Sequence, residues 1–344
     1  MLKALEIDES IVEDLEKGLA SFLGYAHVIA VESEAVAFMT CLDPFKKEDE
    51  VFCSPFAPLA LHRTLYKASL KPKYTDSKLD GTTETRFLER QLSEKSRCFV
   101  LSHYEGIYSS VENVQKFCHQ NKIFFIEDAT QSFPQYKKSA AQVLVFSLSG
   151  LIGSAIAQGA FIATDDDSLA VAFRLKAQGG YRKRKNWNYE LVNNDENVQL
   201  SALAAYFALQ HLDALNLKKK KRETVYTLYR EALSEVKLLS LPSQKNLSTL
   251  NHFPVFLDPA LFCPKEDIYN ALLEKGIAVE VGLKPVYKTA AFLDASVQLF
   301  GADEIYKGVL LLPLSSEMTE DEVLNVVSIF KTILEQFAYR GCSF

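Results

Sequence analysis

Two acids side by side, Glu127 and Asp128, close the apolar run Ile123–Phe124–Phe125–Ile126. Four apolar residues stopped by charge read as a buried strand whose C-terminal end opens into a cleft. A second run, Val143–Leu144–Val145–Phe146, ends in Ser147, and a third, Ala160–Phe161–Ile162–Ala163, ends in Thr164. A fourth, Cys98 to Leu101, leads into Ser102, His103, Tyr104 and Glu105. Polar residues at the ends of short buried strands mark where an open α/β sheet takes a small ligand. His103 could line such a pocket, although a lone histidine there serves more often as a hydrogen-bonded structural residue than as a catalyst. The basic stretch Tyr181–Lys185 could meet a diphosphate, because paired arginine side chains match phosphate geometry.

The elements that position these residues alternate. Helical spacing runs over Ser10–Leu23, Ala35–Leu42, Leu59–Ala68, Thr85–Leu92 and Val111–Gln120. Between them lie short strands at His27–Val31, Glu50–Cys53, Lys71–Thr75 and Cys98–Leu101. Such alternation predicts an α/β fold with a mostly parallel sheet covered on both faces. Helices follow at Leu169–Gln178, Leu200–Leu215 and Glu223–Leu239, with a long polar loop after Gly180 that holds Trp187 and a basic run at Lys218–Arg222. From about residue 240 a strand–helix–strand–helix tail (Asn251–Leu257, Lys265–Lys275, Ile277–Val281, Ala302–Leu310) closes with a helix over Thr319–Gln336 and suits a smaller α+β domain. The boundaries read as 1–240 for a large domain and 241–344 for a small C-terminal one.

Composition narrows the class. The chain has 344 residues, 48% hydrophobic and 24% charged, which fits a globular protein with a sizeable core and neither a disordered nor a fibrous one. A net charge of −6 argues against general nucleic-acid binding. No apolar run is long enough for a membrane span, and the acidic N-terminal stretch does not read as a signal peptide. The six cysteines are scattered without metal-ligand spacing, so buried free thiols in a reducing cytoplasm are expected and no metal is.

Four blocks together resemble the DegT/StrS-type nucleotide-sugar aminotransferases, a branch of the fold-type I pyridoxal-phosphate (PLP) enzymes. They are IEDATQSF (Ile126–Phe133), FSLSGLIGSAIAQGAFIATDD (Phe146–Asp166), NYELVNNDENVQLSALAAYFALQHLD (Asn188–Asp213), and the pair LLEKGIAVEVG and LLLPLSSEMTEDEV near the C-terminus. The resemblance spans almost the whole chain and implies an aspartate-aminotransferase-like large domain with a seven-stranded type of sheet. It implies cofactor-facing roles for Asp128 (against the pyridine nitrogen), Gln131 (at the phenolic oxygen), Ser147 (at the phosphate) and Phe56 (stacked on the ring). Asn188 would reach the phosphate from a partner subunit, and Ser33 would open the phosphate-binding helix.

The departures carry as much information. A transaminase needs a lysine to form the Schiff base and carry protons. Ile152 stands at that position, and the block from Phe146 to Gly159 contains no lysine; the nearest are Lys137 and Lys138. The family's Ser-Gly-Thr phosphate seat is here Ser33–Glu34–Ala35, and a carboxylate repels phosphate. The family's second glycine is Ala160, and its arginine after Asn-Tyr is Glu190. The resemblance therefore implies either non-covalent PLP or pyridoxamine phosphate (PMP), or no cofactor. Three readings follow from it: a catalytically altered enzyme of nucleotide-sugar or surface-polysaccharide biosynthesis, a non-catalytic subunit paired with an active paralogue, and an ordinary aminotransferase if Ile152 is misaligned. In each, the ligand expected is a nucleotide-sugar or another small anion. The assembly expected is a homodimer or a heterodimer in the cytoplasm.

Overall fold

The computed structural model describes residues 10–132, 138–152, 158–183, 189–243, 252–259, 261 and 263–340. The first sheet is built from β1 (His27–Val31), β2 (Glu50–Cys53), β3 (Lys71–Tyr74), β4 (Ser96–Ser102), β5 (Phe124–Ala129), β6 (Val143–Ser147) and β7 (Ala160–Thr164). These seven strands stand in the order β1-β7-β6-β5-β4-β2-β3. All neighbours pair in parallel except at β7, which runs antiparallel to both β1 and β6. The strands are apolar on both sides because helices cover both faces. On one face lie α2 (Glu34–Leu42), α3 (Leu59–Lys67) and α6 (Asp167–Ala177), packed with Val51, Val100, Ile126 and Val145. On the other, α1 (Ser10–Leu23) and α7 (Ala202–Leu212) cover the β1–β7–β6 side, with the short α5 (Leu148–Ile152) beside them. There α4 (Val111–Asn121) packs on Phe52, Phe99 and Phe125.

Caps fix the helix starts. Ser33, Ser110, Asp166 and Ser201 each accept a backbone N–H in the first turn of α2, α4, α6 and α7. The segment after Gly180 forms a two-stranded ladder of β8 (Tyr181–Lys183) and β9 (Tyr189–Leu191), with Trp187 outside the described residues. The basic run Lys218–Arg222 is not a separate feature but part of one helix, α8 (Leu215–Leu233).

A second sheet holds β10 (Leu239–Ser240), β11 (His252–Leu257), β12 (Glu280–Val281) and β13 (Val309–Pro313) in the order β10-β11-β13-β12, all antiparallel. Around it pack α9 (Lys265–Glu274), α10 (Phe300–Gly308) and α11 (Glu320–Arg340), and α8 joins the same core through Val225, Tyr226, Tyr229 and Leu233. Phe56, Tyr104 and Ile107, from loops at the ends of the first sheet, complete that core.

Two expected elements are shorter than their patterns suggest. The helix expected over Thr85–Leu92 is a single 3-10 turn, Leu88–Gln91. Glu84 takes both the Arg86 backbone N–H and its guanidinium, which holds the chain in a local turn ahead of any helix. The strand expected over Ile277–Val281 pairs only at Glu280–Val281, because Gly276 (φ +77°) and a Val279 N–H bond to the Ile277 carbonyl keep its start in a turn. Among the described residues no helix is long and apolar enough to cross a membrane, and no group of three metal-ligating side chains gathers.

Candidate active site

Three parallel strands deliver the floor. β4 and β5 are in register at Ser102 and Asp128, and β5 and β6 at Ala129 and Phe146, so Ser102, Asp128 and Ser147 reach the same sheet edge. Asp128 is fully buried and well held. Ser102 Oγ donates to its Oδ2 at 2.6 Å, and Thr130 donates to its Oδ1 through the backbone N–H (2.9 Å) and Oγ1 (2.6 Å). Burial still wins over these bonds and raises its carboxyl pKa.

Glu34 opens α2, directly after the cap formed by Ser33 Oγ and the Val36 N–H at 3.3 Å. Burial pushes the Glu34 carboxyl up to about 7, and the negative field of Asp128 adds to it. The two carboxyls disfavour each other's charge, and the favourable helix N-terminus does not offset that cost.

The remaining expected residues are engaged locally. Gln131 accepts the Glu105 N–H at 3.2 Å and donates to the Phe56 carbonyl at 3.0 Å. Ser147 Oγ donates to the Thr130 carbonyl at 3.0 Å and accepts the Gly150 N–H at 3.1 Å. Phe56 is buried against Tyr104, with ring centroids 4.7 Å apart. Ile152 ends α5, and Asn188 lies outside the described residues.

Glu127 takes the opposite face of the sheet from Asp128, as adjacent strand residues must. His103 goes with it: its Nε2 meets Glu127 Oε1 at 2.9 Å, its Nδ1 accepts the Ser109 N–H at 3.2 Å, and Tyr108 stacks on the ring at 3.8 Å. That pattern fixes the tautomer with the proton on Nε2, shared with the carboxylate. Burial pushes Glu127 up, but the bonds from His103, Ser139 and Tyr108 outweigh it and hold its pKa low. Neighbouring acids thus shift in opposite senses. His103 spends its Nε2 on Glu127 and its Nδ1 on Ser109.

Sequence reasoning missed a link from this floor to the second sheet. Glu105, in the left-handed region at φ +48°, also meets His252 Nδ1 at 3.3 Å, and His252 approaches Glu280 at 3.6 Å. Burial opposes a charged His252 ring, yet Glu105 and Glu280 raise its pKa. The partners are 147 residues apart in the chain, so no local pattern announces them.

A parallel α/β sheet with one reversed strand, a carboxylate and serines at its strand ends, and a small second sheet define an aminotransferase-type architecture. The chain belongs to the DegT/DnrJ/EryC1/StrS aminotransferase family, whose model matches residues 7–331. It is 24% identical, over 96% of its length and 92% of the relative's, to the UDP-4-amino-4,6-dideoxy-N-acetyl-beta-L-altrosamine transaminase of Campylobacter jejuni. Its fold matches that of Helicobacter pylori PseC, an aminotransferase involved in the biosynthesis of pseudoaminic acid, with a TM-score of 0.87 at 24% identity over 95% of this chain and 91% of that one. NtdA from Bacillus subtilis, solved with bound PMP, matches with a TM-score of 0.86 at 22% identity over 96% of this chain and 78% of that one.

The residues present do not fit PLP in the family's manner. Asp128 suits a protonated ring nitrogen. The phosphate end is the difficulty, because α2 begins with a half-buried carboxyl whose pKa is raised by burial and by the charge of Asp128. The sequence from Ser139 to Leu175 holds no lysine.

Proposed function

We propose that this chain is a catalytically altered member of its family, acting in the cytoplasm in nucleotide-sugar or surface-polysaccharide biosynthesis without a covalent lysine–cofactor bond. The observation that carries the reading is Ile152 where the family's lysine is expected, in a stretch from Ser139 to Leu175 without any lysine. Isoleucine has no nitrogen to form an imine and no proton to transfer. The Glu34 carboxyl in the first turn of α2 supports the same reading, since once ionised it disfavours a phosphate there. The nucleotide-sugar substrate class rests on the family and on the UDP-sugar named for the Campylobacter jejuni relative. Any PLP or PMP held here is held non-covalently, with Asp128, Gln131, Ser147, Phe56 and Ser33 as the facing residues and Asn188 contributed across a subunit contact.

The test is spectroscopic. Protein mixed with PLP is expected to show no new band at roughly 400–430 nm, where a lysine-bound cofactor absorbs, and no adduct after borohydride. A stable reducible adduct on this chain defeats the proposal. Ile152→Lys alone is expected to leave transamination absent, because Glu34 remains.

A second reading, a non-catalytic subunit that pairs with an active relative, draws on α7. Leu203 and Phe207, one helical turn apart, are each about half exposed (52% and 50%). An apolar pair of this kind suits a subunit contact. Titration of UDP-sugars with and without PMP separates the two: turnover favours the altered enzyme, and silence with co-purification of a relative favours the subunit.

A further inference from the structure

We propose that the groove between α3, the edge strand β3 and the segment 290–299 is a second ligand site that binds a nucleoside diphosphate. It is separate from the sheet-end floor and does not depend on the floor's chemistry. Two cavities of about 930 and 270 Å³ share Tyr66, Lys71, Pro72, Tyr74 and Phe292 as walls. The combined space suits a ligand of nucleotide size. Its smaller end is bounded by Lys47, Glu48, Ser69 and Leu70, which precede β2 and β3. It therefore opens at the start of the strands, whereas Ser102, Asp128 and Ser147 stand at their finish.

The walls are aromatic. His62 lies 5.8 Å from Tyr74 and 6.2 Å from Phe292, centroid to centroid, and Tyr66 meets Phe292 edge-on at 6.3 Å. Tyr66 is 75% exposed, a large flat ring held at the mouth of an open groove. Aromatic faces of this kind stack a nucleobase whatever its identity.

The groove is also cationic. Lys47, Lys71, Lys73 and Arg90 line it against two acids, Glu48 and Asp294. Lys73 is taken up by Glu50 at 3.0 Å, and Asp294 by the Ser296 hydroxyl and backbone N–H. Lys71 approaches Glu48 only loosely, at 3.6 Å in solvent, and Arg90, which lines the groove, has its guanidinium over the Phe87 ring. Two phosphates give such cations a partner.

One buried group lacks a purpose without a ligand. His62 is 2% exposed and lines the smaller cavity, and its ring nitrogens have only a marginal hydrogen bond, to the Ala57 backbone. Buried polar atoms are seldom left this way. Burial pushes the ring down to about 4, so it is neutral and carries one donor and one acceptor, the pair that the edge of a base can meet.

The experiment is calorimetric titration of the full-length protein with UDP, ADP, uridine and pyrophosphate, and NMR of the His62 ring. UDP and ADP are expected to bind and to move the His62 signals, with uridine and pyrophosphate each weaker. Tyr66→Ala, which removes an exposed ring, is expected to leave the fold intact and to weaken both nucleotides about tenfold or more. Phe292→Ala should do the same. Three results overturn the site: no binding of either nucleotide, pyrophosphate as tight as UDP, or binding that both alanine variants and the His62 signals ignore. The last would put the nucleotide elsewhere, including on the sheet-end floor.

Discussion

Glu34→Gln tests the electrostatics of the floor directly. The folded Glu34 carboxyl titrates at about 7, above its ordinary 4.5, because burial and Asp128 disfavour its charge. The native protein thus holds this proton more tightly than the unfolded chain does between those two pH values. Stability contributed by the neutral carboxyl is present at low pH and falls as pH rises through the window from 4.5 to about 7. At about 1.4 kcal/mol per pH unit, the gap amounts to ~3 kcal/mol once Glu34 is fully ionised. Only about 1 kcal/mol of it is lost by pH 5, so the change between pH 5 and pH 8 is ~2 kcal/mol. Glutamine reproduces the neutral form at every pH. Denaturant unfolding of both proteins at pH 5 and pH 8 gives the difference of differences, which is expected to favour the variant by that ~2 kcal/mol on going to pH 8. An equal offset at both pH values refutes the claim that burial and the charge of Asp128 raise the Glu34 pKa. Asp128→Asn should lower the Glu34 midpoint, since it removes the second cause.

Other outcomes follow from named contacts. Glu127→Ala leaves the His103 Nε2–H and the Tyr108 hydroxyl without their acceptor, and is expected to cost about 2–4 kcal/mol in denaturant unfolding, with Glu127→Gln costing clearly less. Gly180→Ala puts a Cβ 2.0 Å from the Asn193 carbonyl oxygen at φ +77°, so a fall in thermal midpoint is expected, where an unchanged midpoint would remove the strain argument. Leu203→Asp with Phe207→Asp is expected to shift the sedimentation of any dimer toward monomer while leaving the circular dichroism spectrum unchanged.

The order of strands and helices was legible because apolar runs of four or five residues alternate with amphipathic stretches at regular separations. Asp128 and Ser147 were legible as strand ends for the same reason. The reversal of β7 was not, since its apolar run looks the same in either direction. Glu34 was visible only as a mismatch with the family's motif; that it feels the charge of Asp128 needs the fold, because 94 residues separate them in the chain. His103 was readable as a sheet-end histidine, but not its commitment to Glu127, which depends on which face of β5 each acid takes. His62 gave no signal at all: one histidine among the apolar residues of α3 reads as core, and only its position beside Tyr66, Tyr74 and Phe292 sets it apart.

The two carboxyl oxygens of Asp76 accept the Gly301 N–H at 3.2 Å and the Ala302 N–H at 2.9 Å, at the start of α10. The helix in the second layer is thus capped by a residue just beyond β3, 226 positions earlier. Gly301 has no room for a side chain there, since a Cβ would stand 1.6 Å from the Ser77 carbonyl oxygen. The chain is consequently interlocked rather than strung as two beads. During synthesis the backbone that Asp76 caps emerges only near the end of the chain. A fragment beginning after residue 240 would carry α10 with an unsatisfied first turn and a core lacking Phe56 and Tyr104, and would be expected to aggregate unless the first part is supplied beside it.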